Sequence, residues 1–303
     1  MASVSAQTAA QQPVSPRKRA IHWGNLPWPS ILVLISLVMV AIFAPLISPH
    51  NPREQDILLQ FARPFWRITG TAGFPPEAGY WLGTDDLGRD ILSNIIYGLR
   101  ISLLVGFVAV TISLVIGTPV GLIAGFRRGR TDDIIMRLVD IQLALPTILI
   151  ALGVLAVWGS GLWKVILVIG IVGWANYARL VRGSVLIERE KDYVTSAQAL
   201  GTAVPRTLFV HILPNVLNAL LVQISVDVPR VILLEATLSF LGLGVSITTP
   251  SLGLMVARGY ERLFSGVWWT SVLPGVGLMI LVLSINLLGD WLRDTLDPRK
   301  LNA

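Results

Sequence analysis

Ionisable side chains recur at helical spacing inside one apolar stretch of the sequence. Asp227 and Arg230 are three positions apart in a segment from Asn215 to about Ala236, so a helix brings them close enough to pair directly. At about 100° per residue, one narrow arc of that helix carries Gln223, Asp227, Arg230 and Leu234. Charges deep in an apolar helix face a bundle interior or a water-filled path. The arc therefore indicates either a translocation path or gate, or a static ion pair that holds two helices together.

Two further polar groups lie close to apolar stretches. Glu235 is near the outer end of the same segment, where it either caps a gate or meets water among the lipid headgroups. A second stripe, near the C-terminus, consists of Asn286, Asp290, Arg293 and Asp297. Charges that cap a helix end or snorkel to the interface explain this stripe better than a second path does.

The motifs of several enzyme classes are missing. The chain has no cysteine, and its three histidines, His22, His50 and His211, lie in separate segments, so no metal site is expected. It contains neither a G-x-x-x-x-G-K-[ST] phosphate loop nor the G-x-S-x-G and H-E-x-x-H motifs of hydrolases. The net charge of +6 is concentrated beside apolar blocks, which favours membrane orientation over binding of nucleic acid.

Apolar blocks dominate the composition. Hydrophobic residues make up 53% of the 303 residues and charged residues 14%, and the mean hydropathy is +0.69. Crossing a hydrocarbon core of about 30 Å takes about 20 helical residues. The sequence therefore predicts an all-α integral membrane protein with about six transmembrane helices, located near 29–49, 101–126, 141–158, 163–180, 215–236 and 273–292.

The polar segments give the remaining organisation. We expect a flexible cytoplasmic tail at 1–28, the first transmembrane helix at 29–49, and a periplasmic segment at 50–99 with a surface helix over 87–99. A core domain with five transmembrane helices follows at 100–292, and a cytoplasmic tail at 293–303. Pro146 lies inside the third predicted span, where neighbouring helices can satisfy the carbonyl that it frees. Basic residues cluster in both tails and in alternate loops, which predicts that both termini are cytoplasmic.

The connection between the fourth and fifth spans has the pattern of a helix-turn-helix elbow, DYVTSAQALGTAVPRTLFVHILPN. Asp192 can cap a helix over 193–200, and Gly201 can end it in the left-handed conformation. Pro205 suits the first turn of a second helix, and Pro214 marks the entry to the fifth span. Small residues in the first helix allow another protein to approach closely, although an ordinary folded loop explains the pattern as well.

This elbow resembles the cytoplasmic EAA loop of ABC importer permeases. The spacing from the triplet to the glycine and to the ending HILP is intact, but Thr195 and Ser196 replace the usual Glu and first Ala. Three other segments are similar to permeases of the dipeptide and oligopeptide (peptide/nickel/opine) family, the latter two to its C-type partner: LGTDDLGRDILSNIIYGLRISLLVG, LLEATLSFLGLG and NLLGDWLRDTLDPR.

The resemblance implies the type I ABC importer permease fold in the inner membrane of a bacterial cell. In that family the elbow docks in a groove of an ATP-binding subunit, which gives the docking residues Asp192, Tyr193, Thr195, Ser196, Ala197, Leu200 and Gly201. The implied partners are a homologous permease that completes a heterodimer, two ATP-binding subunits, and an extracytoplasmic substrate-binding protein facing the loop 242–270. ATP and Mg²⁺ then belong to the partner subunits, and this chain carries no cofactor.

The function implied is import of di- or oligopeptides, or related small solutes, by alternating access. Two rivals are weaker. A secondary transporter would place ion coupling at Asp227 and Arg230, but it predicts inverted repeats that the sequence lacks. A membrane-bound enzyme is disfavoured because the sequence shows none of the catalytic motifs named above.

Overall fold

The computed structural model describes residues 27–65, 79–246 and 248–296. These residues form helices joined by loops, and an isolated bridge of strand type pairs Thr84 with Asp90. The helices are α1 (Trp28–Ile42), α2 (Ala44–Ile47), α3 (Ile91–Arg127), α4 (Gly129–Ala144), α5 (Thr147–Trp158), α6 (Leu162–Glu188), α7 (Asp192–Ala199), α8 (Val204–Phe240), α9 (Leu252–Arg262) and α10 (Trp269–Leu296). Short 3-10 turns occur at Ile57–Leu59 and Leu263–Ser265. The predicted all-α class is confirmed.

Four described helices, α3, α6, α8 and α10, are long and apolar enough to cross a membrane. The bent pair formed by α4 and α5 adds a fifth candidate crossing. Helix α1 is shorter, but with α2 the helical run from Trp28 to Ile47 reaches about 30 Å at 1.5 Å per residue. With the α4–α5 pair and the α1–α2 run each counted as one crossing, the described helices give six crossings, the number predicted.

Helices α3 and α6 pack together most closely, because glycines line their contact. A Cβ on Gly117 would stand 2.4 Å from the carbonyl oxygen of Trp174, and one on Gly121 would stand 2.5 Å from that of Ala178. Such distances leave room only for a hydrogen atom, so the two backbones are in direct contact. Helix α8 packs against both α3 and α6, and these three helices form the centre of the bundle.

The predicted surface helix over 87–99 is not a separate element. Asp90 caps the start of α3 at Ile91, its carboxylate accepting from the amide of Ser93 at 2.9 Å. From there the helix runs without a break to Arg127, since Gly98 and Pro119 both fit inside it. The first turns face protein, with Ile91, Ile96 and Leu99 buried.

Pro146 interrupts the third predicted span instead of being tolerated within it. Leu145 has the extended conformation (φ −95°, ψ 134°) that a following proline imposes. Helices α4 and α5 therefore meet at 83°. Helix α5 begins at Thr147, and the bend directs this start of the helix into the bundle.

The second helix of the elbow is continuous with the fifth span. Pro205 lies in the first turn of α8, as expected. The turn that precedes Pro214, over Thr207–Ile212, is π-helical. This wider turn carries the helix past a residue that has no amide hydrogen to donate. The predicted tails lie mostly outside the described residues, although α10 extends to Leu296.

Candidate translocation cleft and coupling elbow

Helix α8 holds Asp227 against α6 near the middle of the bundle. Asp227 is buried, with 6% of its surface exposed. The side-chain amide of Gln223, one turn earlier, donates to its Oδ2 at 3.1 Å. The Tyr177 hydroxyl of α6 faces the same carboxylate. A buried carboxylate without a positive partner is costly, so this group needs a function or a partner beyond its own helix.

Arg230 lies on the same side of α8 but does not pair with Asp227. Across the described residues, no ion pair joins the two side chains, and Arg230 is exposed. Both line a cavity of about 40 Å³, with Leu234 one turn further along α8. The direct pair that the spacing allowed is therefore absent. Three of the four residues of the predicted arc line one cleft, and Gln223 supports it.

The cleft contains polar groups from three other helices that sequence reasoning missed. They are Ser113 of α3, Thr147 of α5, and Asn176 and Tyr177 of α6. Only Thr147 had a visible signal, because it follows the proline that ends α4. The others sit within long apolar runs, and only the packing of α3, α6 and α8 brings them together.

Glu235 does not meet headgroup water. Its side chain is fully buried at the end of α8. Its Oε1 accepts hydrogen bonds from Ser239 at 2.7 Å and from Ser251 at 3.0 Å. In the C-terminal stripe, Asn286, Asp290 and Arg293 are exposed on α10 and do not line the cleft. Its fourth residue, Asp297, lies outside the described residues.

The elbow at residues 192–214 has a buried face and an exposed face. Val194 of α7 is fully buried in the same hydrophobic cluster as Val185 of α6 and Ile212 and Val216 of α8. Leu200, at the end of α7, is 86% exposed. Most of the other predicted docking residues are exposed, namely Asp192, Tyr193, Thr195, Ser196 and Gly201, and Ala197 is half-buried.

The local geometry of α7 differs from the prediction at its start and agrees at its end. Lys191, not Asp192, occupies the N-cap position, and no side chain caps the helix. Asp192 is the first helical residue, where its charge favours the positive end of the helix. Gly201 has a φ of +77°, so the predicted left-handed termination is confirmed.

Tyr193 ties the elbow to the helices on either side of it. Its hydroxyl donates to Glu188 Oε2 at 2.5 Å and accepts from the Asn215 amide at 3.1 Å. Burial, together with the hydrogen bond to Glu188, raises the pKa of Tyr193 to about 12. The phenol therefore stays protonated at any physiological pH and keeps donating to the carboxylate.

Ion pairs join the ends of α4 and α6 next to the elbow. Arg182 binds Asp132 with two hydrogen bonds of 2.6 Å each, and Asp132 is buried. Arg179 pairs with Asp140. Arg189 donates to the carbonyl oxygen of Phe126 at 2.5 Å. These contacts fix the helix ends that the elbow adjoins.

Comparisons with known proteins agree with this geometry. Residues 117–302 match the family described as "Binding-protein-dependent transport system inner membrane component", and residues 28–64 match the "N-terminal TM domain of oligopeptide transport permease C".

Several curated relatives are similar over nearly their whole length. The chain is 44% identical to the "Di/tripeptide transport system permease protein DppC" of Pseudomonas aeruginosa (strain UCBPP-PA14), over 90% of this chain and 88% of the relative. It is 41% identical to the "Dipeptide transport system permease protein DppC" of Escherichia coli (strain K12), over 96% of each. It is 39% identical to the "Oligopeptide transport system permease protein OppC" of Bacillus subtilis (strain 168), over 89% of this chain and 84% of the relative.

A solved structure of the MetNI methionine ABC transporter, in an inward-facing conformation, shares the fold. Its TM-score is 0.55 at 21% sequence identity, and the match covers 67% of this chain and 96% of that chain. The fold and the family expected from the elbow and the other motifs are therefore confirmed. This chain is a multi-pass inner membrane protein and belongs to the family of inner membrane components of binding-protein-dependent transport systems, as a permease subunit.

Proposed function

We propose that this chain is one transmembrane half of an ATP-driven importer of di- or oligopeptides, which works by alternating access. The names of its relatives supply the peptide class. Its partners are a homologous permease, two ATP-binding subunits and an extracytoplasmic substrate-binding protein. ATP and Mg²⁺ are bound by the partner subunits, and this chain contributes no cofactor and no covalent chemistry.

The observation that carries this proposal is the two-faced elbow. Leu200 is a large apolar side chain that is 86% exposed, on a segment beside basic residues. A protein partner that covers Leu200 removes apolar surface from water, which favours docking. Arg127, Arg128 and Arg130 lie at the same end of the bundle, which supports a cytoplasmic position for the elbow and for both termini.

The buried face of the elbow supplies the connection to the bundle. Val194 packs against Ile212 and Val216 of α8, and Tyr193 bonds to Asn215. A partner that moves the elbow therefore moves α8 with it, because a packed core responds as a rigid element. ATP binding would draw the two motor subunits together and open the cleft outward, and hydrolysis would reset it.

The cleft supplies the substrate path in this proposal. Arg230 lies ten residues before the end of α8 at Phe240, which is about 15 Å along the axis and about half of a hydrocarbon core. An exposed guanidinium at that depth is costly in lipid, which favours its facing a water-filled path. Asp227 and Arg230 then present opposite charges to a zwitterionic peptide that passes between the two permeases.

The docking step is tested by isolating the complete complex through a tag on this chain. We expect the ATP-binding subunits to co-isolate, and Leu200→Asp to lose them while it retains the partner permease. Phe264→Asp is the matched control, because Phe264 is 91% exposed at the opposite end of the bundle. Co-isolation that is unchanged by Leu200→Asp, or lost equally with the control, would contradict the docking assignment.

The path is tested by Asp227→Asn, which keeps the size of the side chain and removes its charge. We expect peptide uptake into vesicles to fall at least tenfold per assembled complex. A loss of assembled complex in proportion to uptake would instead assign Asp227 a structural role. Uptake that continues without the ATP-binding subunits and stops with an ionophore would favour a secondary transporter.

A further inference from the structure

Glu235 is a fully buried carboxyl group that the transport cycle described above does not use. It lies at the end of α8 opposite the elbow, and its Oε1 accepts from the hydroxyls of Ser239 and Ser251 at 2.7 and 3.0 Å. Ser239 belongs to α8, but Ser251 belongs to the loop and is the residue that immediately precedes α9. One carboxyl oxygen therefore joins the end of α8 to the start of α9.

The start of α9 is also held by close packing. A Cβ on Gly253 would stand 2.3 Å from the carbonyl oxygen of Ala236, so the backbones of α9 and α8 touch. Leu252 is fully buried and would lie 3.0 Å from a Cβ on Gly98 of α3. Because the side chains leave no space between these segments, a displacement of α9 is passed to α8 without being absorbed.

The far end of α9 faces outward. Tyr260 is 54% exposed, and Phe264, in the turn that follows α9, is 91% exposed. Tyr260 also contacts Phe240 of α8 edge to face, and the backbone at Gly259 touches Ser271 of α10, so the far end of α9 is attached to the bundle as well. Helix α9 thus bonds to α8 at its buried start and presents Tyr260 and Phe264 to a partner at the surface opposite the elbow. A partner that pushes or pulls the exposed end acts on Ser251 and Glu235 at the buried end.

Glu235 is close to the cleft along its own helix. Leu234 lines the cleft, and Arg230 precedes Glu235 by five residues, about 7.5 Å along the axis. The second oxygen, Oε2, has no hydrogen-bond partner within the described residues. The carboxyl is held through Oε1 alone, so the bond from Ser251 forms a large part of its attachment.

We propose that Glu235 is a positioning residue that transmits docking of the substrate-binding protein on α9, through Ser251, to the cleft on α8. The inference rests on the proposed function, since it requires that the binding protein engages the end of the bundle opposite the elbow. When the binding protein shifts α9, the Ser251 hydroxyl carries the displacement to Glu235 and so to the segment that holds Arg230 and Asp227.

The test uses the assembled transporter in lipid nanodiscs with its binding protein and a dipeptide. ATP hydrolysis is measured with and without the binding protein, and uptake is measured in vesicles.

Ser251→Ala removes one hydrogen bond and leaves the packing of Gly253 in place. We expect basal hydrolysis and the amount of complex to stay unchanged, while stimulation by the binding protein falls about tenfold, the factor expected from losing one hydrogen bond to a carboxylate. Ser36→Ala is the control, because the hydroxyl of Ser36 donates to the carbonyl oxygen of Val33 within its own helix, α1, and the variant should behave as the wild type.

Glu235→Gln keeps an acceptor oxygen for both hydroxyls, so it should retain most of the stimulation, and Glu235→Leu should lose it. If Glu235→Leu fails to assemble, the result for Ser251→Ala decides whether Glu235 transmits docking. Wild-type stimulation in Ser251→Ala would overturn the coupling role and leave the proposed function standing. Equal losses of basal and stimulated hydrolysis would overturn it in favour of a structural bond. A wild-type complex that no binding protein stimulates would overturn both.

Discussion

Adding one methyl group to the contact between α3 and α6 should destabilise the bundle by a definite amount. A Cβ on Gly121 would lie 2.5 Å from the carbonyl oxygen of Ala178 and 2.8 Å from the Cβ of Val181. Ordinary contact needs about 3.5 Å, so Gly121→Ala must separate the helices by roughly 1 Å. Overpacking of this kind costs about 3 kcal/mol at the upper end of its usual range, and the better helix propensity of alanine returns about 1 kcal/mol. The net expected loss is about 2 kcal/mol.

Gly183→Ala, in α6, is the matched control. Beyond the neighbouring backbone of its own helix, no atom lies within 4 Å of a Cβ placed there, so the variant gains only the helix propensity of alanine. Thermal unfolding of the purified complex, followed by tryptophan fluorescence, separates the two variants. We expect the midpoint of Gly121→Ala to fall by about 4–8 °C, from about 2–4 °C per kcal/mol, and that of Gly183→Ala to stay or rise. Equal midpoints would refute the direct backbone contact between α3 and α6.

Four further predictions concern the elbow and the helix ends beside it. Gly201→Asp should assemble normally, because an added Cβ there meets open space and a φ of +77° costs about 1 kcal/mol. Uptake should fall, and normal uptake per assembled complex would argue against docking at Gly201. Tyr193→Phe should loosen the elbow by about 1 kcal/mol and increase its cleavage by a protease. In the wild type the bond from Tyr193 to Glu188 should hold fully below pH 10 and be lost as the pH rises through about 12, so a change in cleavage between pH 6 and 9 would contradict that bond. Asp132→Asn should destabilise the bundle by about 2 kcal/mol, because it leaves Arg182 without its charged partner. The loss is measured as a lower unfolding midpoint. The double variant with Arg182→Met should recover the midpoint, and no recovery would indicate another cause.

The features that the sequence predicted well depend on local patterns. The long apolar runs that became α3, α6, α8 and α10 are visible because crossing a membrane requires them. The left-handed Gly201 and the position of Pro205 follow from backbone rules that act within one turn. The predicted arc of four residues follows from helical spacing, and three of them, Asp227, Arg230 and Leu234, line one cleft.

The features that were missed depend on contacts between distant segments. Tyr177 and Ser113 reach the cleft only because glycines let α3 and α6 approach closely, and neither residue has a distinguishing neighbour in sequence. The Arg182–Asp132 pair joins residues 50 positions apart. The sequence shows that Pro146 lies in the third predicted span, but whether a proline kinks a helix or ends it depends on the packing around the freed carbonyl. Glu235 became a buried junction because Ser251 folds back onto α8.

Photo-cross-linking from position 200 tests the central claim, that the elbow connects this chain to an ATP-driven motor. The chain has no cysteine, so Leu200→Cys offers a single thiol for a photoactivatable maleimide in the complete complex. We predict an adduct with an ATP-binding subunit, made from the cytoplasmic side, whose yield changes when ATP is added. An adduct with the binding protein, or labelling of the thiol by a membrane-impermeant reagent from outside the cell, would contradict the account.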